Sequence, residues 1–486
     1  MRLEMICKPR RVLTTILFFA LLWTVLKYFP GVPFLFQNRG AQDAVAALLK
    51  AVAFPLSWLG WHESRQGPWI SQLKRSADTE DYHRIDYYCE APKFNASVPK
   101  NQEILGMQVL IRHGDRGALF NMKDSSHKYC PYDESFSHSS VVDSYYNAVQ
   151  LFQKPGNYHP DFHFVPEKSV CLNGQLTSKG VSQHLDLGAA VRQRLGEAAG
   201  QWISADTPVY STLYPRTYQS ALAFMYGLNP AADRHIPHKT SFAPPHDTMF
   251  CTLAGTCECV TTSRLMDEYF RLKMDFFKKD LESIALITRI REILTGHLEK
   301  PLHVWPTHVF DVMLQFACHG GHLPCYDGTC ITFSELIEVI EVMERLAKKL
   351  SDEPAVRLYS VVDGYGLLRK MVENLKDVVE GRANATMRFT LFSAHDSTVV
   401  PIIHSLGLPF KIVIPYASHV AVEVYAVNGE EEKFVRVMYN GEDITLKTLF
   451  AAECDRERKR CLFRVFEEFV SGPLRKEYLA ACNVAH

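Results

Sequence analysis

Two apolar runs constrain this chain of 486 residues more than anything else in it: Met107-Gln-Val-Leu-Ile111 and Phe389-Thr-Leu-Phe392. Each passes within a few residues into a histidine, through Arg112-His113 in one case and Ser393-Ala394-His395 in the other. A short apolar run that ends in polar residues reads as a buried strand. Helical period follows the first run: Thr177–Leu195 carries Leu185, Leu187, Ala189, Val191 and Leu195 among polar positions. Val209-Tyr-Ser211 reads as a short strand and Arg216–Tyr226 as a helix. Residues 262–300 and 332–381 are mostly helical in pattern, and Val420–Ala426 and Lys433–Tyr439 form a late pair of strands. Strands alternating with helices predict an α/β sheet with helical insertions.

Composition places the domain. The chain is 47% hydrophobic and 22% charged, which is ordinary for a globular protein. A formal net charge of -1 leaves no electrostatic footprint for nucleic acid, so no nucleic-acid partner is expected. Near the start, Arg2, Lys8, Arg10 and Arg11 precede an apolar run from Val12 to Leu26, followed by Lys27, Tyr28 and Phe29. The run is shorter than the roughly 20 residues of a usual span, but the lysine and aromatics suit the interface and extend it. No small-x-small cleavage pattern follows Leu26, which favours an uncleaved signal-anchor transmembrane helix over 12–29 against a cleaved signal peptide. The basic residues ahead of it predict a cytosolic tail, 1–11, and a lumenal remainder. A short span also suits the thinner membranes early in the secretory route.

The cysteines agree. Of 13, Cys7 precedes the run and the other 12 follow it, an even number, as expected of a disulfide-bonded lumenal domain. Two glycosylation sequons, Asn95-Ala-Ser97 and Asn384-Ala-Thr386, also follow it. Residues 30–84 read as a lumenal stem. Its apolar stretch Ala44–Trp61 contains Lys50 and Pro55, and reads as an interfacial or packing helix rather than a second span.

Three constellations carry chemistry. Arg112-His113-Gly114-Asp115-Arg116 follows the first strand, and ligands of open α/β sheets bind at the carboxyl ends of strands. Two arginines beside a histidine make a poor core element and a good phosphate cradle. Gly114 is expected to let the backbone approach a ligand. The competing reading is a solvated basic turn, since Arg-His-Gly alone is a weak motif. His395-Asp396 follows the second strand; by itself it reads as a helix start with Asp396 as a cap. In Ser211-Thr-Leu-Tyr-Pro-Arg-Thr217, Pro215 suits a first helical position and puts Arg216 in a first turn, where anions are favoured. By itself that arginine reads as solvated.

Taken in order, Arg-His-Gly-x-Arg, Ser-Thr-x-x-x-Arg-Thr-x-x-Ser-Ala and His-Asp resemble the histidine acid phosphatase family. Gln175-Leu-Thr177 with Gly180 and Gln183 resembles a further segment of it. The resemblance implies a mixed central sheet flanked by helices, a catalytic domain over 85–486 and a mostly helical insertion near 228–385. It implies phosphorylation of His113, a phosphate held by Arg112, Arg116, Arg216 and His395, a leaving group protonated by Asp396, and no metal or cofactor. The expected reaction is a covalent, ping-pong hydrolysis of a phosphomonoester. One position departs from the family: a proline usually stands two residues after the second arginine, where this chain has Ala118 preceded by Gly117. A looser loop there bears on rate more than on reaction type.

Within the family the chain is similar to the Golgi branch that acts on phosphorylated xylose of the proteoglycan linkage region. The similarity lies in Phe250-Cys251 with Cys257-x-Cys259, Ser393–Asp396, Leu406-Gly-Leu408 and Tyr439–Thr445. It implies a Golgi membrane location, a phosphorylated glycan as substrate and a glycosyltransferase as partner. No residue is seen to read a sugar; Tyr129, Tyr132 and Tyr214 either line a glycan groove or simply pack. Other small phosphomonoesters, a phosphomutase, and an inactive lumenal phosphoglycan-binding protein are the competing functions. Cys251, Cys257 and Cys259, and Cys318, Cys325 and Cys330 with His319 and His322, admit a zinc site. Their spacing is not that of a common zinc module, so disulfides are expected, with the pairing open.

Overall fold

Strand β1 (Gln102–Arg112) runs through the middle of the sheet, which is why its second half is buried on both faces. Side chains alternate: Leu110 joins one core, and Met107, Val109 and Ile111 join the other. In the computed structural model residues 79–94, 97–119, 140–151, 165–166, 172–204, 206–230, 240–242, 259–297, 306–319 and 323–483 are described. The tail 1–11, the anchor 12–29, nearly all of the stem, Asn95, Tyr129, Tyr132, Cys251, Cys257 and His322 lie outside them. Among the described residues no helix is long and apolar enough to cross a membrane.

The other strands of this sheet are β2 (Val209–Ser211), β3 (Thr240–Phe242), β4 (Phe389–Ala394), β5 (His419–Val427), β6 (Lys433–Tyr439), β7 (Glu442–Asp443) and β8 (Cys461–Leu462). They lie in the order β8-β6-β5-β1-β4-β2-β3, with β7 on β6. β1, β4, β2 and β3 are parallel, and β5, β6 and β8 extend the other side antiparallel. The sheet is therefore mixed and flanked by helices, as the sequence implies. β3 lies within the span 228–385 read as a helical insertion, yet it completes the parallel edge. Three residues are too few for a strand period to stand out.

One face is covered by α2 (Ser178–Leu195) and α3 (Pro215–Leu228), whose Leu187, Val191, Phe224 and Leu228 meet Val109, Ile111 and Leu391. Thr177 caps α2, accepting from Gly180 N at 3.1 Å. The other face is covered by α8 (Pro354–Val379) and α9 (Asp396–Ser405), and the same core takes in the helices α5 (Leu281–His297), α6 (Pro306–Cys318) and α7 (Phe333–Ser351). Ahead of these runs α4 (Thr262–Lys279). The first described helix, α1 (Thr79–Cys89), spans the boundary at residue 85 drawn from the sequence and buries Ile85 and Tyr88 in this core. Cys89–Cys318, Cys259–Cys482, Cys325–Cys330 and Cys454–Cys461 are disulfides, which assigns four of the clustered cysteines to cross-links rather than to zinc.

Candidate active site

Three neighbouring parallel strands end side by side. Beyond the sheet the ladder continues for one more step: His113 N donates to Ala394 O (3.0 Å), and Thr212 N donates to Ser393 O (3.1 Å). That register sets the rings of His113 and His395 at a centroid distance of 5.3 Å, inclined by 73°. Asp396 opens α9, and Pro215 sits at the first position of α3 with Arg216 directly after it. Two helix N-termini and the β1 loop thus converge, bringing together Arg112, His113, Arg116, Arg216, His395 and Asp396.

His113 is 2% exposed, and its Nδ1 lies 2.8 Å from Gly114 O. A carbonyl only accepts, so the proton sits on Nδ1 and Nε2 is a bare lone pair. Burial, then the charges of Arg216 and Arg112, hold its pKa well below 6.5, so the ring is neutral. His395 is held down by burial and Arg216 in the same way. Its Nδ1 lies 3.4 Å from Arg216 Nη2, a group that only donates, so its proton is on Nε2, 3.0 Å from Thr212 Oγ1.

The arginines are held differently. Arg112 donates to Ile414 O, meets Asp396 at 3.2 Å and lies over the Tyr416 ring at 4.6 Å. Arg116 grips Asp311 with two nitrogens (2.7 and 3.4 Å) and donates to Gly117 O. Arg216 lies 4.7 Å over the Tyr214 ring; burial and then Arg116 bring its pKa down to about 10. The Nε atoms of all three are buried without a hydrogen-bond partner among the described residues. Buried donors are otherwise nearly always satisfied, so this set is shaped for an anion with several oxygens. Desolvation works to raise the pKa of Asp396, but Arg112, His395 and Arg116 outweigh it and hold the carboxyl below its usual range. The side chain remains 40% exposed to the cleft.

One sequence expectation turns out otherwise. Gly114 faces α2 rather than a ligand: a Cβ on it would lie 2.4 Å from Gly180 O, and one on Gly180 would lie 2.2 Å from Asp115 O. The pair lets the β1 loop press on the helix start. Asp115 points away from the cleft, to Thr177 Oγ1 and His319 Nε2, both at 2.5 Å. Tyr214 is 37% exposed and stands edge-on to His395 at 4.9 Å, so it lies at the site rather than in packing alone. Asn384 is exposed and accepts from Thr386 Oγ1 (2.9 Å).

Sequence reasoning missed several supports. Asp311 and Tyr416 arrive from distant segments and leave no local signal. Thr212 and Ser220, which accepts from Gly114 N at 3.1 Å, lie inside the motif already singled out and could have been read from it.

Residues 103–313 match the histidine phosphatase superfamily, branch 2. The chain is 28% identical over 436 residues to 2-phosphoxylose phosphatase 1 of Xenopus tropicalis, covering 82% of each chain. It is 27% identical over 417 residues to the protein of that name from Homo sapiens, covering 79% of this chain and 80% of the other. Among solved structures, a Hafnia alvei phytase in complex with tartrate aligns with a TM-score of 0.49 at 15% identity, over 79% of this chain and 99% of that one, a likeness too loose to argue from. The family match, relatives along most of the chain and a neutral histidine ringed by guanidinium groups agree: residues 103–313 carry a domain of the histidine phosphatase superfamily, branch 2, of the histidine acid phosphatase kind, and the chain is a phosphomonoesterase.

Proposed function

We propose that the chain removes the 2-phosphate from xylose in the glycosaminoglycan–protein linkage region, through a phosphohistidine on His113. The observation that carries the reaction is the bare Nε2 of His113 among three guanidinium groups whose Nε–H groups are unmatched. Nε2 attacks phosphorus as the ester P–O bond breaks. Arg112, Arg116 and Arg216 meet the charge on the equatorial oxygens, with His395 behind them accepting from Arg216. A phosphate against Arg112 offsets the charge that keeps Asp396 ionised, so the carboxyl takes up a proton as substrate binds and passes it to the leaving oxygen. In the second half Asp396 takes a proton from water while that water attacks phosphorus. Because Nδ1 keeps its proton, the departing group is a neutral imidazole.

The choice of substrate is supported by relatives named 2-phosphoxylose phosphatase 1, which cover most of this chain. A Golgi location, a type II anchor over 12–29, glycans at Asn95 and Asn384 and a glycosyltransferase partner belong to the same reading. Four disulfides after that segment suit an oxidising compartment. The test compares kcat/KM of the full-length chain on a phosphoxylosyl linkage tetrasaccharide, an inositol phosphate and an aryl phosphate. The glycan should lead by at least about tenfold; equal or better turnover of the inositol phosphate would refute this substrate.

A further inference from the structure

Three arginines face the phosphate site, and among the described residues two of them are near enough to a carboxylate to pair with it. Arg116 is gripped by Asp311, and Arg112 meets Asp396. Arg216 has no carboxylate within ion-pair distance among the described residues. It touches His395 through Nη2, its Nε has no hydrogen-bond partner, and its guanidinium lies 4.7 Å over the ring of Tyr214. That ring also stands edge-on to His395 at 4.9 Å, and it is 37% exposed at the mouth of the site. The backbone fixes the pair: Tyr214 is the residue before α3, its C=O accepts from Thr217 Oγ1 at 2.8 Å, and Pro215 sets the turn that places Arg216 behind it.

The electrostatics of this arrangement differ from those of an ion pair. The face of an aromatic ring attracts a guanidinium through its quadrupole and carries no formal charge. A carboxylate at the same place would neutralise Arg216 and repel an incoming phosphate. The ring orients the cation and leaves its whole charge for the ligand. Burial and the nearby Arg116 work against the charge of Arg216, which makes an uncharged attractive surface the more useful.

We infer that Tyr214 is a positioning residue of the phosphate site, acting through Arg216: its ring holds the guanidinium against His395 without drawing on its charge. The inference rests on the phosphatase reading, and it concerns the phosphoryl group rather than the sugar.

The experiment uses the full-length chain, an aryl phosphate as substrate and inorganic phosphate as competitor. Turnover by the unsubstituted chain keeps the phosphatase reading separate from this one. Tyr214→Leu should weaken phosphate inhibition on the order of tenfold and lower kcat/KM at least as much. In an Arg216→Ala background the same substitution should cost less than about twofold, because the group through which Tyr214 acts is gone. An equal loss in both backgrounds would mean a structural or direct role and would overturn the inference. So would a loss confined to the phosphoxylosyl glycan, which would make Tyr214 a sugar contact. Because leucine also changes shape, a second series places phenylalanine and its mono-, di- and trifluoro analogues at 214. Fluorination drains the ring face at almost constant size, so phosphate affinity should fall stepwise; a flat series would overturn the inference as well.

Discussion

Among the described residues two clusters of enclosed arginines and carboxylates stand out, and they behave as opposites. Glu423 on β5 is fully buried, and Arg194 and Arg436 enclose it. Every nitrogen there is used. Arg194 bonds Glu423 through Nε and Nη2 and Ser97 O through Nη1. Arg436 bonds Glu423, Gln102 and Asp443. At the carboxyl ends of β1, β4 and β2, three arginines are comparably enclosed, yet the Nε of each is unspent. The residue types are the same; the difference is whether the donors are satisfied within the chain. A closed cluster spends its charge on folding, and an open one keeps it for a ligand.

The sharpest way to break this contrast is to remove the nucleophile. His113→Ala should lower kcat by 10⁴ or more while the melting temperature stays within about 2 °C, because the substitution leaves all three arginines in place. Residual turnover within tenfold of the unsubstituted chain would move the nucleophile elsewhere.

Next in size is the closed cluster. Glu423→Gln strands two buried guanidinium groups and should cost about 3–5 kcal/mol of stability, read by chemical denaturation, with kcat/KM per folded molecule unchanged. Asp311→Asn also removes a carboxylate partner of an arginine, here Arg116 in the open cluster. Phosphate stabilises every folded variant that binds it, so the comparison is with the unsubstituted chain at the same saturating phosphate: there the Asp311 deficit should shrink and the Glu423 deficit should not, since only the open cluster can accept a substitute anion. Recovery in both, or in neither, would erase the distinction.

The third effect is one of pH. His419 and His184 are buried behind the site; burial takes His419 down to about 4, and burial with the charge of His419 takes His184 down to about 3. Both titrate near 6.5 in the unfolded chain, which therefore binds more protons than the native one below that pH. Stability should be complete above about pH 6.5 and fall as pH drops toward 4, by about 3 kcal/mol from His419 alone. Denaturation midpoints at pH 7 and pH 4.5 measure this, and His419→Asn should flatten the slope. An unchanged slope in that variant would locate the acid sensitivity elsewhere.

How much of this was legible depended on range. β1 and β4 stand out because central parallel strands are buried on both faces, so apolar residues run together. Even so, β1 starts at Gln102, five residues before Met107; the irregular pairing at Ile104/Gly106 breaks the pattern. Pro215 and Arg216 were legible because a helix start is a local event. The partners were not. Asp311 reaches Arg116 across 195 residues, and Glu423 reaches Arg194 across 229. Tyr416 meets the arginines from beyond α9. Such pairings follow from topology, and nothing near either residue announces them. Gly114 shows the converse: the glycine was visible, and its reason, contact with Gly180, was not.

The smallest predicted effect tests whether the open cluster depends on hydrogen bonds as well as charge. Thr212 Oγ1 lies 3.0 Å from His395 Nε2 and 2.9 Å from Thr217 Oγ1, and so serves as the acceptor that fixes the His395 tautomer. Thr212→Val keeps the shape and removes the acceptor, leaving a buried N–H unmet at a cost of about 1–2 kcal/mol. The ring can avoid that cost by moving its proton to Nδ1, but Nδ1 would then face the Arg216 Nη2 donor. Either outcome disturbs the contact of His395 with Arg216, so kcat/KM should fall about tenfold and stability by up to about 1–2 kcal/mol. Thr212→Ser should restore most of the activity. Nitrogen-15 spectra of the histidines would show whether the proton has left Nε2. An isosteric valine with full activity would mean that arginine charge alone orients the ligand and that the hydroxyl ladder behind His395 serves only the fold.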